Sequence, residues 1–248
     1  MFFRSILHQK YVQIMNSTFY HWALFIALAF PWIATAEPVR VACLGDSITA
    51  GARVDSATAS YPARLQELLG DHYEVRNLGI GGATLIKTGR PNVWNNLETI
   101  RVFQPHVVVI ALGTNDTVGG QRKNWEQIER FDDDFGALIG VLAELPTEPH
   151  IILGTPTAMV LSTPGLSEQR LADLTERKIR LENLCKRIRK LAASHADQNV
   201  SLLELNAILK DRPELLTAAD GVHPNTEGYL AIAKSVATHI HERLKPSK

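Results

Sequence analysis

Five short apolar runs alternate along the chain with stretches of helical periodicity: VRVACL at 39–44, YEVRNL at 73–78, HVVVIAL at 106–112, HIILGT at 150–155 and VSLLEL at 200–205. No other feature constrains the fold so tightly. Several runs are rich in β-branched residues and nearly continuous in apolarity, the mark of strands buried on both faces of a parallel sheet. Helical patterns fall at 60–70, 92–103, 124–145, about 167–196 and 225–244, and their apolar stripes read as core faces. Strands alternating with helices predict a doubly wound α/β domain. Right-handed crossovers then bring the carboxyl end of every strand to one edge, where ligands of such sheets bind. Residues with chemistry to perform are therefore expected just after strands.

Composition narrows the partners. The 26 Lys and Arg balance the 26 Asp and Glu, so no basic surface predicts nucleic acid. Cys43 lies in the first apolar run and Cys185 in a helical pattern; both read as small buried hydrophobes, and two cysteines are too few for a structural zinc site. No repeat or low-complexity linker interrupts the chain after residue 36, so 37–248 reads as one domain. Residues 1–36 read differently. WALFIALAFPWIATA, at 22–36, is an apolar run ending in Ala34-Thr-Ala36, which predicts a secretory signal cleaved after Ala36. The run is short for a membrane span and carries Pro31. Arg4 and Lys10 lie well upstream and Met15 offers a second start, so a retained anchor stays open as the alternative. The expectation is an exported protein with no stable membrane insertion after cleavage.

Four groups follow predicted strands or open the last helix. They are Gly45-Asp46-Ser47, the turn NLGIGGAT at 77–84, Gly113-Thr114-Asn115-Asp116, and Asp220-Gly-Val-His223-Pro224. Together they hold a serine, a glycine-rich turn, an asparagine and an Asp/His pair, the parts an acyl-transfer site needs. His106 and His150 start strands and so fall on the opposite edge. His223 alone sits in a loop with a carboxylate three residues before it, a spacing that lets the carboxylate reach one ring nitrogen and leaves the other for a serine. The bland alternative is that Asp220 and His223 cap the last helix. The glycine turn lacks the third glycine of a dinucleotide fingerprint, and no phosphate-binding Lys-Ser/Thr follows it. Its glycines suit close approach of a backbone N–H to a developing oxyanion.

In order and spacing, GDS, N-x-G-x-G-G-x-T, GTND and D-x-x-H resemble the blocks of the SGNH hydrolases, also called GDSL esterases, over nearly all of residues 39–240. The resemblance implies a flavodoxin-like three-layer α/β/α fold with a five-stranded parallel sheet in the order 2-1-3-4-5. It implies Ser47 as nucleophile, His223 as base and Asp220 as its orienter. It gives the oxyanion donors as the backbone N–H groups of Ser47 and Gly82 and the side chain of Asn115, with Asp46 and Thr114 bracing the loops. Neither metal nor organic cofactor is implied. The exported branch that it resembles most, the sialate O-acetylesterases and acetylxylan esterases, implies acetylated carbohydrate or another small ester as substrate. Trp94, Trp125, Arg90 and Arg122 near the active edge are candidate sugar contacts, and packing of a helix start is the alternative for both tryptophans. Two further readings remain: a lysophospholipase or thioesterase of short-to-medium acyl chains, and a glycan-binding member of the fold without catalysis.

Overall fold

The structure is a computed structural model that describes residues 37–244; the leader expected at 1–36 lies outside the described residues. Five strands form within a residue or two of the apolar runs: β1 Val39–Gly45, β2 Tyr73–Gly79, β3 Val107–Ala111, β4 His150–Gly154 and β5 Val200–Leu203. All pair in parallel, in the order β2-β1-β3-β4-β5. The doubly wound sheet and its flavodoxin-like order are therefore as expected. The helices are α1 Ser47–Ala50, α2 Ser56–Ala59, α3 Tyr61–Leu69, α4 Leu97–Phe103, α5 Phe131–Ala143, α6 Glu168–Ser194, α7 Leu205–Leu209 and α8 Thr226–Arg243. Two of the predicted helices open as 3-10 turns, Val93–Asn96 before α4 and Trp125–Arg130 before α5. Neither turn has a side-chain N-cap, and Gln127 at φ −119° breaks the second.

The strand period of two explains the unbroken apolar runs. Val41, Cys43, Val107 and Val109 face one layer, packing with Tyr61 and Leu65 of α3 and Tyr229, Ile232 and Val236 of α8. Ala42, Leu44, Val108 and Ile110 face the other, against Ile100 of α4 and Phe131, Phe135 and Leu138 of α5. The long α6 serves both layers: Leu174 and Leu181 enter the first, Leu184, Ile188 and Ala192 the second. Each of the Val, Leu, Ile and Phe side chains among them, when fully buried, contributes about 1.5–3 kcal/mol. Cys43 and Cys185 are buried and free. Burial pushes their thiols up to about 12 and about 11, so neither offers a reactive thiolate near neutral pH.

Register sets the stage for chemistry. Gly45 pairs with both Gly79 and Ala111, and Ala111 pairs with Gly154. Four strands thus end at one level, and the chain leaves β1, β2 and β3 into three neighbouring loops. No helix among the described residues is long and apolar enough to cross a membrane.

Candidate active site

Strand β1 turns directly into α1. Asp46 Oδ1 accepts the Ile48 N–H at 2.9 Å and caps the turn, and Gly51, at φ 86°, closes it. Ser47 is the first residue of α1, so its N–H has no acceptor within so short a helix. The turn can rest on the end of β2 because residue 79 is glycine: a side chain there would run into the backbone of Ala50.

His223 arrives from the far end of the sequence. Its loop is folded on itself by the Thr217 N–H donating to His223 O (2.9 Å) and the Asp220 N–H to Thr217 O (3.2 Å). The segment after β4 braces it from outside, with Val160 N–H on Gly221 O (2.9 Å) and Ala219 N–H on Pro164 O (2.8 Å). Asp220 Oδ1 accepts the backbone N–H groups of Val222 (3.1 Å) and His223 (2.9 Å). Both carboxylate oxygens lie 3.0 Å from His223 Nδ1, and His223 Nε2 lies 2.9 Å from Ser47 Oγ. Nδ1–H therefore donates to Asp220, and Nε2 is left to accept the serine hydroxyl. The helix-cap alternative for this loop fails. Asn225 caps α8 by accepting the Gly228 N–H at 3.0 Å, and Pro224 lies outside the helix rather than in its first turn.

The electrostatics suit the arrangement. Burial works to raise the Asp220 carboxyl, but the His223 imidazole, the His223 N–H and the Val222 N–H outweigh it and hold that carboxyl well below the ordinary carboxylate range. Asp46 behaves oppositely: burial pushes it up to about 6 against the pull of the Ile48 N–H. One carboxylate is kept as a fixed anion facing the imidazole, and the other is a buried brace.

The expected oxyanion asparagine lies between the Ser47 turn and the glycine turn. Asn115 Nδ2 donates to Ala83 O at 3.0 Å and lies 3.4 Å from Asp46 Oδ2. Asn115 thus sits between the chain neighbour of Ser47 and the chain neighbour of Gly82. Gly82 itself has φ 77°, a left-handed conformation that favours glycine. The long 3.4 Å contact leaves one Asn115 N–H only weakly engaged.

Several supports were not singled out from sequence. Asp116 accepts the N–H groups of Leu85 and Ile86 at 3.0–3.1 Å and so locks the glycine turn to the Asn115 loop. Arg177 of α6, itself buried, donates to Thr117 Oγ1 (3.0 Å) and Thr114 O (3.1 Å), holding that loop from behind. Arg53 donates to Asp220 Oδ2 at 3.1 Å. The Asp of GTND was the only signal in plain view; the two arginines read as ordinary charged residues.

The four candidate sugar contacts fare unequally. Arg122 is exposed and donates to Gly82 O (2.7 Å) and Arg90 O (3.3 Å), which sets its guanidinium on the glycine turn. Arg90 is exposed beside it. Trp94 is half-buried, with its indole N–H on Leu85 O at 2.8 Å and Lys87 Nζ 4.0 Å from its ring centroid. Trp125 is half-buried under the Arg180 guanidinium, 5.2 Å from the ring centroid. Both tryptophans pack against the second core layer.

A doubly wound sheet with a Ser–His–Asp row at its carboxyl edge is the layout of a serine acylhydrolase. Residues 43–231 match the model of the GDSL-like Lipase/Acylhydrolase family, and the chain belongs to that family. An acetylxylan esterase of Xylanibacter ruminicola is 29% identical over 225 residues, which is 82% of this chain and 43% of that protein. A multidomain esterase of Ruminococcus flavefaciens is 25% identical over 206 residues, or 78% of this chain and 23% of its own length. The chain thus spans less than half of either relative. Among solved structures, an acetyl xylan esterase shares 26% identity at a TM-score of 0.60, covering 82% of this chain and all of that one. A carbohydrate acetylesterase from Sinorhizobium meliloti, at 18% identity, shares the fold with a TM-score of 0.62, covering 82% of this chain and 98% of that one.

Proposed function

We propose that the chain is a serine ester hydrolase that removes acetyl groups from carbohydrate through an acyl-enzyme. The observation that carries this reading is the continuous row Ser47 Oγ–His223 Nε2–His223 Nδ1–Asp220, with contacts of 2.9 and 3.0 Å. Ser47 attacks the ester carbonyl carbon while His223 Nε2 takes the hydroxyl proton. The carbonyl oxygen becomes an oxyanion and accepts from the N–H groups of Ser47 and Gly82 and from Asn115 Nδ2. Collapse of this intermediate expels the sugar hydroxyl, which receives the proton from His223 and leaves acetyl on Ser47. Water then attacks, His223 takes its proton, and acetate departs as the proton returns to Ser47. Asp220 stays ionised throughout and stabilises the imidazolium.

The acetylxylan esterase relative and the acetyl xylan esterase of like fold support acetyl over longer acyl groups. The exposed guanidinium of Arg122, beside the glycine turn, is the best supported of the sugar contacts. Trp94 has its N–H committed to the scaffold, so it would act through its ring alone. Export after cleavage behind Ala36 belongs to the same reading, since acetylated polysaccharide lies outside the cell.

The test is acetate release from acetylated xylan, and turnover of aryl acetate against aryl octanoate, by the protein and by Ser47→Ala. The expected result is acetyl preference and loss of essentially all turnover in the variant. Activity retained by Ser47→Ala would overturn the nucleophile assignment, and a preference for octanoate would overturn the substrate class.

A further inference from the structure

We propose that Arg53 is a positioning residue of this site: its guanidinium, seated on Asp220, opposes the charge of the His223 imidazolium and keeps the base available in acid. The proposal rests on the roles of Ser47, His223 and Asp220 given above.

Asp220 has two oxygens with different company. Oδ1 takes the backbone N–H groups of Val222 and His223, whereas Oδ2 faces His223 Nδ1 on one side and Arg53 Nε, at 3.1 Å, on the other. The Asp220 side chain is 7% exposed and that of Arg53 is 58% exposed, so the cation reaches in from the solvent edge. The backbone of Arg53 is held to allow this. Arg53 has φ 75°, which non-glycine residues seldom adopt. The preceding residue is fixed from both sides: the Ala52 N–H donates to Ser47 O at 2.9 Å, and Ala52 O accepts the Tyr229 hydroxyl at 2.8 Å. Glycine would suit such a backbone better, so what the arginine adds is its contact with Asp220.

Other charged groups face the pair. Arg170 Nη2 lies 3.9 Å from Asp220 Oδ1, and its Nε is committed to Asp220 O at 3.0 Å. The buried Asp46 carboxyl and the Tyr229 phenol lie within electrostatic reach. Arg53 is the cation nearest to the carboxylate. A carboxylate beside an imidazole favours its protonated form, and a cation on that carboxylate opposes it. Removing the cation should therefore let protonation switch off the base at a higher pH.

The experiment is the pH dependence of kcat/KM for aryl acetate hydrolysis by the full chain, Arg53→Gln, Arg53→Lys and Arg53→Gly, with thermal unfolding of each. In Arg53→Gln the acid limb is expected to move up by about 0.5–1 pH unit, as loss of one partly solvated charge at this range implies. Arg53→Lys should keep its limb near that of the parent. Arg53→Gly, relieved of the unfavourable φ, should fold at least as stably as Arg53→Gln and show the same displaced limb. An unmoved or lowered limb in both Arg53→Gln and Arg53→Gly overturns the proposal, and so does a displacement in Arg53→Lys equal to that in Arg53→Gln. Ser47→Ala in the same series separates the two readings. If it is as active as the parent, the nucleophile assignment falls; if it is inactive while the limbs coincide, only the role of Arg53 falls.

Discussion

Asp116 shows how a residue one position beyond the expected oxyanion asparagine can govern the site without joining it. Its buried carboxylate receives two N–H groups from the segment after the glycine turn, Leu85 and Ile86. Burial pushes that carboxyl up to about 6, with the Ile86 and Leu85 N–H groups opposing. Asp116→Ala would strand those donors in the core, at about 1–3 kcal/mol each. It would also free the Gly82 turn, and a displacement of about 1 Å at an oxyanion donor costs about 10²-fold in rate. The expected outcome is a lower unfolding free energy together with a kcat reduced by about that factor, read by urea unfolding and aryl acetate turnover. A variant with lower stability and full kcat would remove Asp116 from the positioning of the turn. Ser47 and His223 were legible in the sequence because each stands in a local pattern with its own logic, a strand end or a carboxylate three residues away. Arg177 and Arg53 were not, and Asp116 was visible only as part of GTND with no sign of its role, since their partners lie 60, 167 and 31 residues away and no local periodicity encodes such contacts.

At the scale of elements, the edge opposite the site is closed by a chain of hydrogen bonds linking β4, β5 and α8. His150 Nδ1 lies 2.8 Å from Asn199 Oδ1, so it donates; His150 Nε2 and His239 Nε2 each lie 2.8 Å from Ser201 Oγ. The chain is complete with both rings neutral: Ser201 donates to His150 and accepts from His239. Burial lowers both imidazoles below their ordinary 6.5, Arg243 adds to the effect on each, and Glu242 opposes it at His239. The sign follows from linkage. Both rings are neutral in the folded state and gain protons more readily when unfolded. Their contribution is complete above 6.5 and is lost as pH falls from there toward the lowered folded values. Asp46 and Asp116, raised to about 6, change stability in the opposite sense over overlapping pH, so a difference measurement is needed. Between about pH 7.5 and 5.5 the parent should lose more unfolding free energy than His239→Gln, which keeps a donor for Ser201 but cannot titrate. Equal losses would mean that His239 does not couple to folding. The strands themselves were readable to within a residue or two because burial on both faces leaves an unbroken apolar run. The short α1, α2 and α7 were not, since four or five residues carry no helical period; capping by Asp46 and Asp55 makes two of them.

At the scale of the molecule, two residues, Glu37 and Pro38, separate the expected cut after Ala36 from the first strand. Strand β1 begins at Val39, and its first N–H donates to His72 O at 2.9 Å, inside the domain. A chain cut after Ala36 would keep Ser47, Asp220, His223 and all five strands. The expected outcome is that protein recovered outside the cytoplasm of its host begins at Glu37 by N-terminal mass spectrometry and hydrolyses aryl acetate. Replacing Ala36 by Leu, which spoils the small-residue pattern before the cut, should leave the leader attached and the protein in the membrane fraction. Mature protein that still carries residues 22–36, in the parent as in the variant, would make the segment an anchor. The enzyme would then meet its ester at the membrane surface rather than free in solution.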